Sequence, residues 1–254
     1  MRPGLNFGHG SDVGKVRPLN EDYHRFWEFP FRDRFLTVLG IADGMGGAAA
    51  GEEASRIAIH VLGESFTRYV AEAERGRPVV GLDRVAEKAV LLANKRVHDA
   101  AVAGTGRHGM GTTLTFAVIY GHSAWLGHVG DSRAYLIRFD EIIQLTSDHT
   151  WVAEQIGLGL LTREAAADHE WRNVLVRALG LEPSVTVDVT AFEVRSGDFL
   201  LLTSDGLTGH VTDEEILKEV TSGGSAQSSV DFLIAQANSR GGDDNITLIL
   251  LEVP

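Results

Sequence analysis

Three aspartates stand where short apolar runs meet glycine or asparagine. Asp43 follows the run 35–42 and opens Asp43-Gly44-Met45-Gly46-Gly47. Asp205 follows the run 199–203 in Thr203-Ser204-Asp205-Gly206, and Asp244 lies in Gly241-Gly242-Asp243-Asp244-Asn245, just ahead of a final apolar run. A carboxylate at a strand end, beside backbone free of side chains, suits a hard divalent cation, which takes oxygen ligands and accepts a main-chain carbonyl where glycine leaves room. An ordinary Asp-Gly turn accounts for any one of these motifs equally well. Three together are harder to assign to turns. If the strands lie side by side or in facing sheets, their carboxylates converge, and they repel unless metal cations neutralise them.

Near the N-terminus, Gly10-Ser11-Asp12-Val13-Gly14-Lys15-Val16-Arg17 leads into Asn20-Glu21-Asp22. Arg17 could grip a phosphate with its planar fork while Glu21 holds a metal-bound water; a surface Arg–Glu pair explains the same residues without chemistry. In Gly127-His128-Val129-Gly130-Asp131-Ser132-Arg133, Asp131 and Ser132 are ordinary β-turn residues, and that turn is compatible with a metal role. His128 reads as a strand-face residue rather than a ligand. His149 and His169 lack a paired helical spacing such as His-Glu-x-x-His and read as core or flap packing. Trp151 and Trp171 read as anchors of a flap rather than as a platform for a peptide.

The elements that must position these groups follow from periodicity. Strand-like runs cover 35–42, 113–120, 124–129, 134–139, 185–189, 199–203 and 246–253, most of them separated by Gly or Asp turns. Helical spacing is clear in Ala54, Ile57, Ala58, Val61, Leu62 and Phe66, and in Leu82, Val85, Ala86, Ala89, Val90, Ala93 and Val97. Narrower stripes predict helices over 213–220, capped by Thr212, and over 228–238. Residues 150–167 read as an irregular insertion, a mobile flap, while 104–111 and 221–229 read as exposed loops. No linker or internal repeat divides the chain, so one domain over 1–254 with a flap at about 150–170 is expected. Strands grouped together, with helices in separate blocks, argue for antiparallel sheets with segregated helices rather than βαβ alternation.

Composition narrows the function classes. With 44% hydrophobic and 23% charged residues the chain can build a core and is not of the disordered class. A formal charge of -12 repels a polyphosphate backbone, so nucleic acid is not an expected partner. The absence of cysteine excludes disulfides, thiolate metal sites and a cysteine nucleophile, and fits a cytoplasmic setting. Residues 1–10 lack a basic segment followed by an apolar run, and no run of about 18 apolar residues occurs, so neither secretion nor membrane spanning is expected.

Taken in order, Ser11-Asp12-Val13-Gly14 through Arg17, Asn20-Glu21-Asp22, Asp43-Gly44-Met45-Gly46-Gly47, Gly111-Thr112-Thr113-Leu114, Val129-Gly130-Asp131-Ser132-Arg133, Leu145-Thr146-Ser147-Asp148-His149, Ser204-Asp205-Gly206 and Asp244-Asn245 resemble the metal-dependent protein phosphatases of the 2C type, the bacterial serine/threonine branch most closely. The resemblance implies an α+β fold, a four-layer αββα sandwich of two antiparallel sheets flanked by helices, with the metal centre in a cleft at one edge. It implies that Asp43 bridges two Mn2+ or Mg2+ ions, that Gly44 offers its carbonyl, and that Asp205 and Asp244 complete the ligand set. Glu21, with Asp22, would act through water, Arg17 would bind phosphate, and Asp131 would hold a third, weaker metal. A water bridging the two ions would attack phosphoserine or phosphothreonine in line, without a covalent intermediate. Phosphorylated proteins, and a serine/threonine kinase acting on the same targets, are the implied partners of a monomeric enzyme.

The sequence departs from that family in three places. Met45 stands where eukaryotic members carry a histidine proposed as general acid. Gly209 stands where some relatives have an acidic ligand for the third metal. The flap's His-Pro before Arg-Asn is replaced by His169-Glu170-Trp171-Arg172-Asn173. Two other classes remain open on the residues alone. One is a silent phosphoprotein-binding module, against which the intact Asp43, Asp205 and Asp244 speak. The other is a metal-dependent hydrolase of a small phosphate ester or nucleotide, although no Gly-x-x-x-x-Gly-Lys loop is present for a nucleotide.

Overall fold

A strand covered on both sides buries residues of both parities and reads as a near-continuous apolar run. That is the arrangement found in the computed structural model, which describes residues 5–47, 49–103 and 109–254. One antiparallel sheet runs in the order β1 (Phe7–Asp12), β12 (Ile246–Glu252), β11 (Phe199–Thr203), β8 (Arg133–Arg138) and β9 (Glu141–Gln144). The other runs β10 (Asp188–Glu193), β7 (Ser123–Val129), β6 (Leu114–Tyr120), β3 (Arg34–Ala42) and β2 (Tyr23–Phe31). A short pair, β4 (Gly44–Met45) with β5 (Gly111–Thr112), extends beyond β3.

Alternation along these strands sorts their side chains into three apolar layers. Leu39, Ile41, Ala117, Leu126, Leu136, Leu200, Leu202 and Ile249 meet between the sheets. Leu36, Val38, Phe116 and Val118 face the other way, onto α1 (Ala50–Glu74) and α2 (Leu82–Ala103). Tyr135, Leu201, Leu248 and Leu250 face α6 (Asp213–Val220) and α7 (Ala226–Ser239). Helix, sheet, sheet, helix is the four-layer α+β sandwich expected from the sequence. The α6 boundary is as predicted: Thr212 and Glu215 form a capping box that satisfies the first free N–H groups.

The differences from expectation share a cause. Strands β1, β2 and β9 have no counterpart among the predicted runs, and the run at 185–189 is found as β10, displaced to Asp188–Glu193. All four are sheet edges. Their residues are largely half-buried or exposed, and glycine (β1) and proline (β2) interrupt the pattern. The insertion at 150–167 holds two short helices, α3 (Trp151–Gly157) and α4 (Arg163–Ala167), capped by Thr150 and Thr162. A third, α5 (Asp205–Thr208), follows β11, and α7 starts inside the loop expected at 221–229, with Ser225 as its cap. Of the loop expected at 104–111, residues 104–108 lie outside the described residues, as do residues 1–4 of the N-terminal segment; Met110 is buried. No helix among the described residues is long and apolar enough to cross a membrane.

Leu202 is fully buried between the sheets. Leu202→Ala is expected to cost about 2–5 kcal/mol, read as a lower denaturant midpoint in chemical unfolding.

Candidate metal centre

Antiparallel pairing brings strand ends of both sheets to one edge of the sandwich. In one sheet Tyr23 pairs with Ala42 and Leu114 with Val129, so Asp22, Asp43 and the Gly130-Asp131 turn leave from the same end. In the other, Asp12 pairs with Ile246, and Thr203 lies between Leu248 and Arg133, which places Asp244, Asp205 and the far end of that same turn together. Two connections cross between the sheets here. One is 13–22, from β1 to β2, carrying Arg17, Glu21 and Asp22; the other is 130–132, from β7 to β8, carrying Asp131. The Ser204 hydroxyl donates to Asp22 Oδ2 at 2.7 Å, tying the two sheets together at the site.

Main-chain bonds fix the carboxylates. The Asp43 N–H donates to Thr113 Oγ1 at 2.9 Å, while the Asp43 carbonyl accepts from the Thr113 N–H and the Thr112 hydroxyl, each at 2.9 Å. Thr113 Oγ1 in turn lies 2.8 Å from Ser132 Oγ, beside Asp131. The Gly44 N–H donates to the Glu21 carbonyl at 3.2 Å. A Cβ on Gly44 would collide with the Gly51 carbonyl, and one on Gly206 with the Asn245 carbonyl, so glycine after each aspartate is set by close backbone approach.

The electrostatics are those of crowded acids. Burial, followed by the charges of Asp22, Asp205, Asp131 and Asp244, pushes the Asp43 carboxyl well above its usual range. Burial raises Asp22 to about 7, partly opposed by hydrogen bonds from Thr247 and Ser204 and helped by Asp205 and Asp244. Asp205 is raised by burial and Asp244, and Asp131 by burial, Asp205 and Asp148. Oδ1 of Asp22, Oδ1 of Asp205 and Oε1 of Glu21 are buried without a hydrogen-bond partner. Such atoms are costly, and an all-oxygen, acidic donor set is the kind that hard divalent cations take. As they stand, no three His, Asp or Glu side chains among the described residues close on a single ion-sized site.

Arg17 does not pair with Glu21. Its Nη2 donates to Asp244 Oδ2 at 2.6 Å, with both side chains partly exposed. Sequence reasoning gave no role to Asn245, which is buried. Its side-chain amide donates to the Val13 and Leu19 carbonyls at 2.9 and 3.0 Å, and its Oδ1 accepts from the Glu21 N–H at 2.8 Å. One side chain thus staples both ends of the segment that carries Arg17. The signal was its place beside Asp244, ahead of a strand too apolar to need a polar residue. His128 is held by Thr115 and the Ser147 carbonyl, and His149 by the Gly130 N–H and Asp188, so both imidazoles are committed to structure. Trp151 packs edge-on against Trp171 and stacks on His169, so the flap's aromatic residues anchor one another.

The family model for protein phosphatase 2C matches residues 15–249. The serine/threonine phosphatase stp of Listeria innocua is 36% identical over 244 residues, covering 95% of this chain and 93% of that one. The crystal structure of the Mycobacterium tuberculosis serine/threonine phosphatase PstP/Ppp superposes with a TM-score of 0.85 at 35% identity, covering 98% of each chain. The catalytic domain of a serine/threonine protein phosphatase PstP, solved with two manganese ions, gives a TM-score of 0.82 at 34% identity over 98% of this chain and 97% of that one. The chain therefore belongs to the protein phosphatase 2C family of metal-dependent serine/threonine phosphatases. Enzymes of this family use Mn2+ or Mg2+.

The raised carboxyls dictate how the metal-free protein responds to pH. Below about pH 4 they are protonated in both folded and unfolded chains. As pH rises towards 7, the unfolded chain ionises freely while Asp22, with its folded value of about 7, resists. Stability is therefore lost as pH rises through that window. The imidazoles of His24 and His128, which burial holds at about 4, pull stability the other way over part of this range, so the comparison is with Asp22→Asn. Under chelation the melting temperature of wild type relative to that variant is expected to fall from about pH 5 to about pH 8, and Mn2+ to raise wild type most at the upper end. A difference that climbs with pH under chelation would contradict this. Asn245→Ala is expected to lower kcat/KM on a phosphopeptide about tenfold or more, the equivalent of one to two lost hydrogen bonds, measured by steady-state kinetics.

Proposed function

We propose that Asp43, Asp205 and Asp244, with the Gly44 carbonyl, hold two Mn2+ or Mg2+ ions. In this reading Glu21, and after it Asp22, contribute through water, and Asp131 offers a third, weaker position. The observation that carries it is the set of buried, unpartnered carboxylate oxygens on Glu21, Asp22 and Asp205, converging with Asp43 at one strand-end cleft. Bound there, the cations would acidify water to a nucleophile near neutral pH, suited to in-line attack on phosphorus without a covalent enzyme intermediate.

The chain's own residues do the rest. Arg17, half-exposed and bonded among the described residues only to Asp244, presents its remaining N–H groups to the phosphoryl oxygens and neutralises them as charge shifts. Thr112 and Thr113 fix the Asp43 backbone, and Asn245 fixes the Arg17 segment. Met45 has no proton to give, which leaves protonation of the departing seryl or threonyl oxygen to water.

The whole chain works as one catalytic domain, with about 150–170 as a flap beside the centre. Support comes from the flap's base, where the His149 N–H donates to the Gly130 carbonyl next to Asp131 at 2.8 Å. The enzyme acts as a cytoplasmic monomer on proteins phosphorylated by a serine/threonine kinase. Its charge of -12 and lack of cysteine accord with protein rather than nucleic-acid substrates and with a reducing compartment.

Hydrolysis of a phosphothreonine peptide is expected to require Mn2+ or Mg2+, to stop on chelation and to exceed that of a phosphotyrosine peptide. Asp205→Asn is expected to lower it about a hundredfold or more. Activity that survives chelation, or an undiminished Asp205→Asn enzyme, would overturn the assignment. Activity confined to small phosphate esters would transfer the site to that substrate class.

A further inference from the structure

The edge strands β1 and β2 of opposite sheets face each other through four aromatic rings. Phe7 packs on Phe26 with ring centroids 4.2 Å apart. One step along each strand, His9 meets His24 at 5.1 Å, with His9 Nδ1 only 2.9 Å from His24 Nε2. The backbone beneath His9 is fixed by Gln227 of α7, which accepts from the His9 N–H and donates to its carbonyl. His9 is exposed and His24 half-buried, so solvent reaches the pair.

We propose that His9 and His24 form a binding site for a late first-row divalent ion, Ni2+, Cu2+ or Zn2+, chemically separate from the carboxylate centre. Imidazole nitrogen suits these ions, whereas Mg2+ and Mn2+ favour oxygen. Two metal–nitrogen bonds of about 2.0–2.1 Å meeting at a right angle span about 2.9 Å, which matches the spacing of the two ring nitrogens. The pair now shares one proton in a hydrogen bond. Moving that proton to the other nitrogen of the same ring, and turning both rings so that their lone pairs leave the N···N line and meet beside it, frees them for one ion. Water completes its coordination. Because β1 and β2 lie in different sheets, an ion held here cross-links the sandwich and stabilises the folded state. These strands also flank the 13–22 segment that carries Arg17 and Glu21.

The test is Ni2+ titration into the tag-free, full-length chain in excess Mg2+, which occupies the oxygen site, followed by calorimetry and melting temperature. Wild type is expected to take up one Ni2+ equivalent and to melt at a higher temperature. His9→Ala and His24→Ala should each weaken that binding at least about tenfold and lose the thermal shift, while His9→Ala keeps its Mn2+-dependent phosphatase activity as proof of folding. Equal Ni2+ uptake by wild type and His9→Ala, or none by wild type, overturns the proposal.

Discussion

The structure depends on holding mutually repelling carboxylates at one place. Burial, and after it one another's charge and that of Asp244, holds the carboxyls of Asp22, Asp43, Asp131 and Asp205 above their usual range. Left to themselves these groups would separate. They stay because each is attached to a strand end or a turn that the apolar layers fix, and a divalent cation bound among them would offset the cost of assembling them.

Sandwich topology is well suited to this task. Two rigid sheets contribute carboxylates from strand ends that stacking brings together, and the two crossing connections place Arg17, Glu21 and Asp131 over the gap. Small polar residues finish the assembly. Ser204 bonds across the sheets to Asp22, Thr113 bonds both Asp43 and Ser132, and Asn245 spans the arginine segment. Glycine after Asp43 and Asp205 lets main chains approach where any side chain would collide.

Legibility in the sequence followed burial. Central strands β3, β6, β7, β8, β11 and β12 are covered on both faces, read as apolar runs, and were predictable to within a residue or so. The edge strands β1, β2, β9 and β10 bury less and were missed or displaced, and the short helices α3, α4 and α5 are too brief to show a period. The acidic motifs were legible as strand-end aspartates followed by Gly or Asn. The fastening around them was not. Nothing in the spacing says that Arg17 reaches Asp244 rather than Glu21, or that Asn245 bonds to Val13 and Leu19, because those contacts join residues more than two hundred positions apart.

The central claim is that these carboxylates are assembled to share two cations. Anomalous diffraction from crystals of the Mn2+-loaded protein tests it most directly. Two manganese peaks in the cleft among Asp43, Asp205 and Asp244, both lost or weakened in Asp43→Asn, are the predicted result. Manganese bound elsewhere, or a cleft where Asp43→Asn leaves both peaks intact, would contradict it.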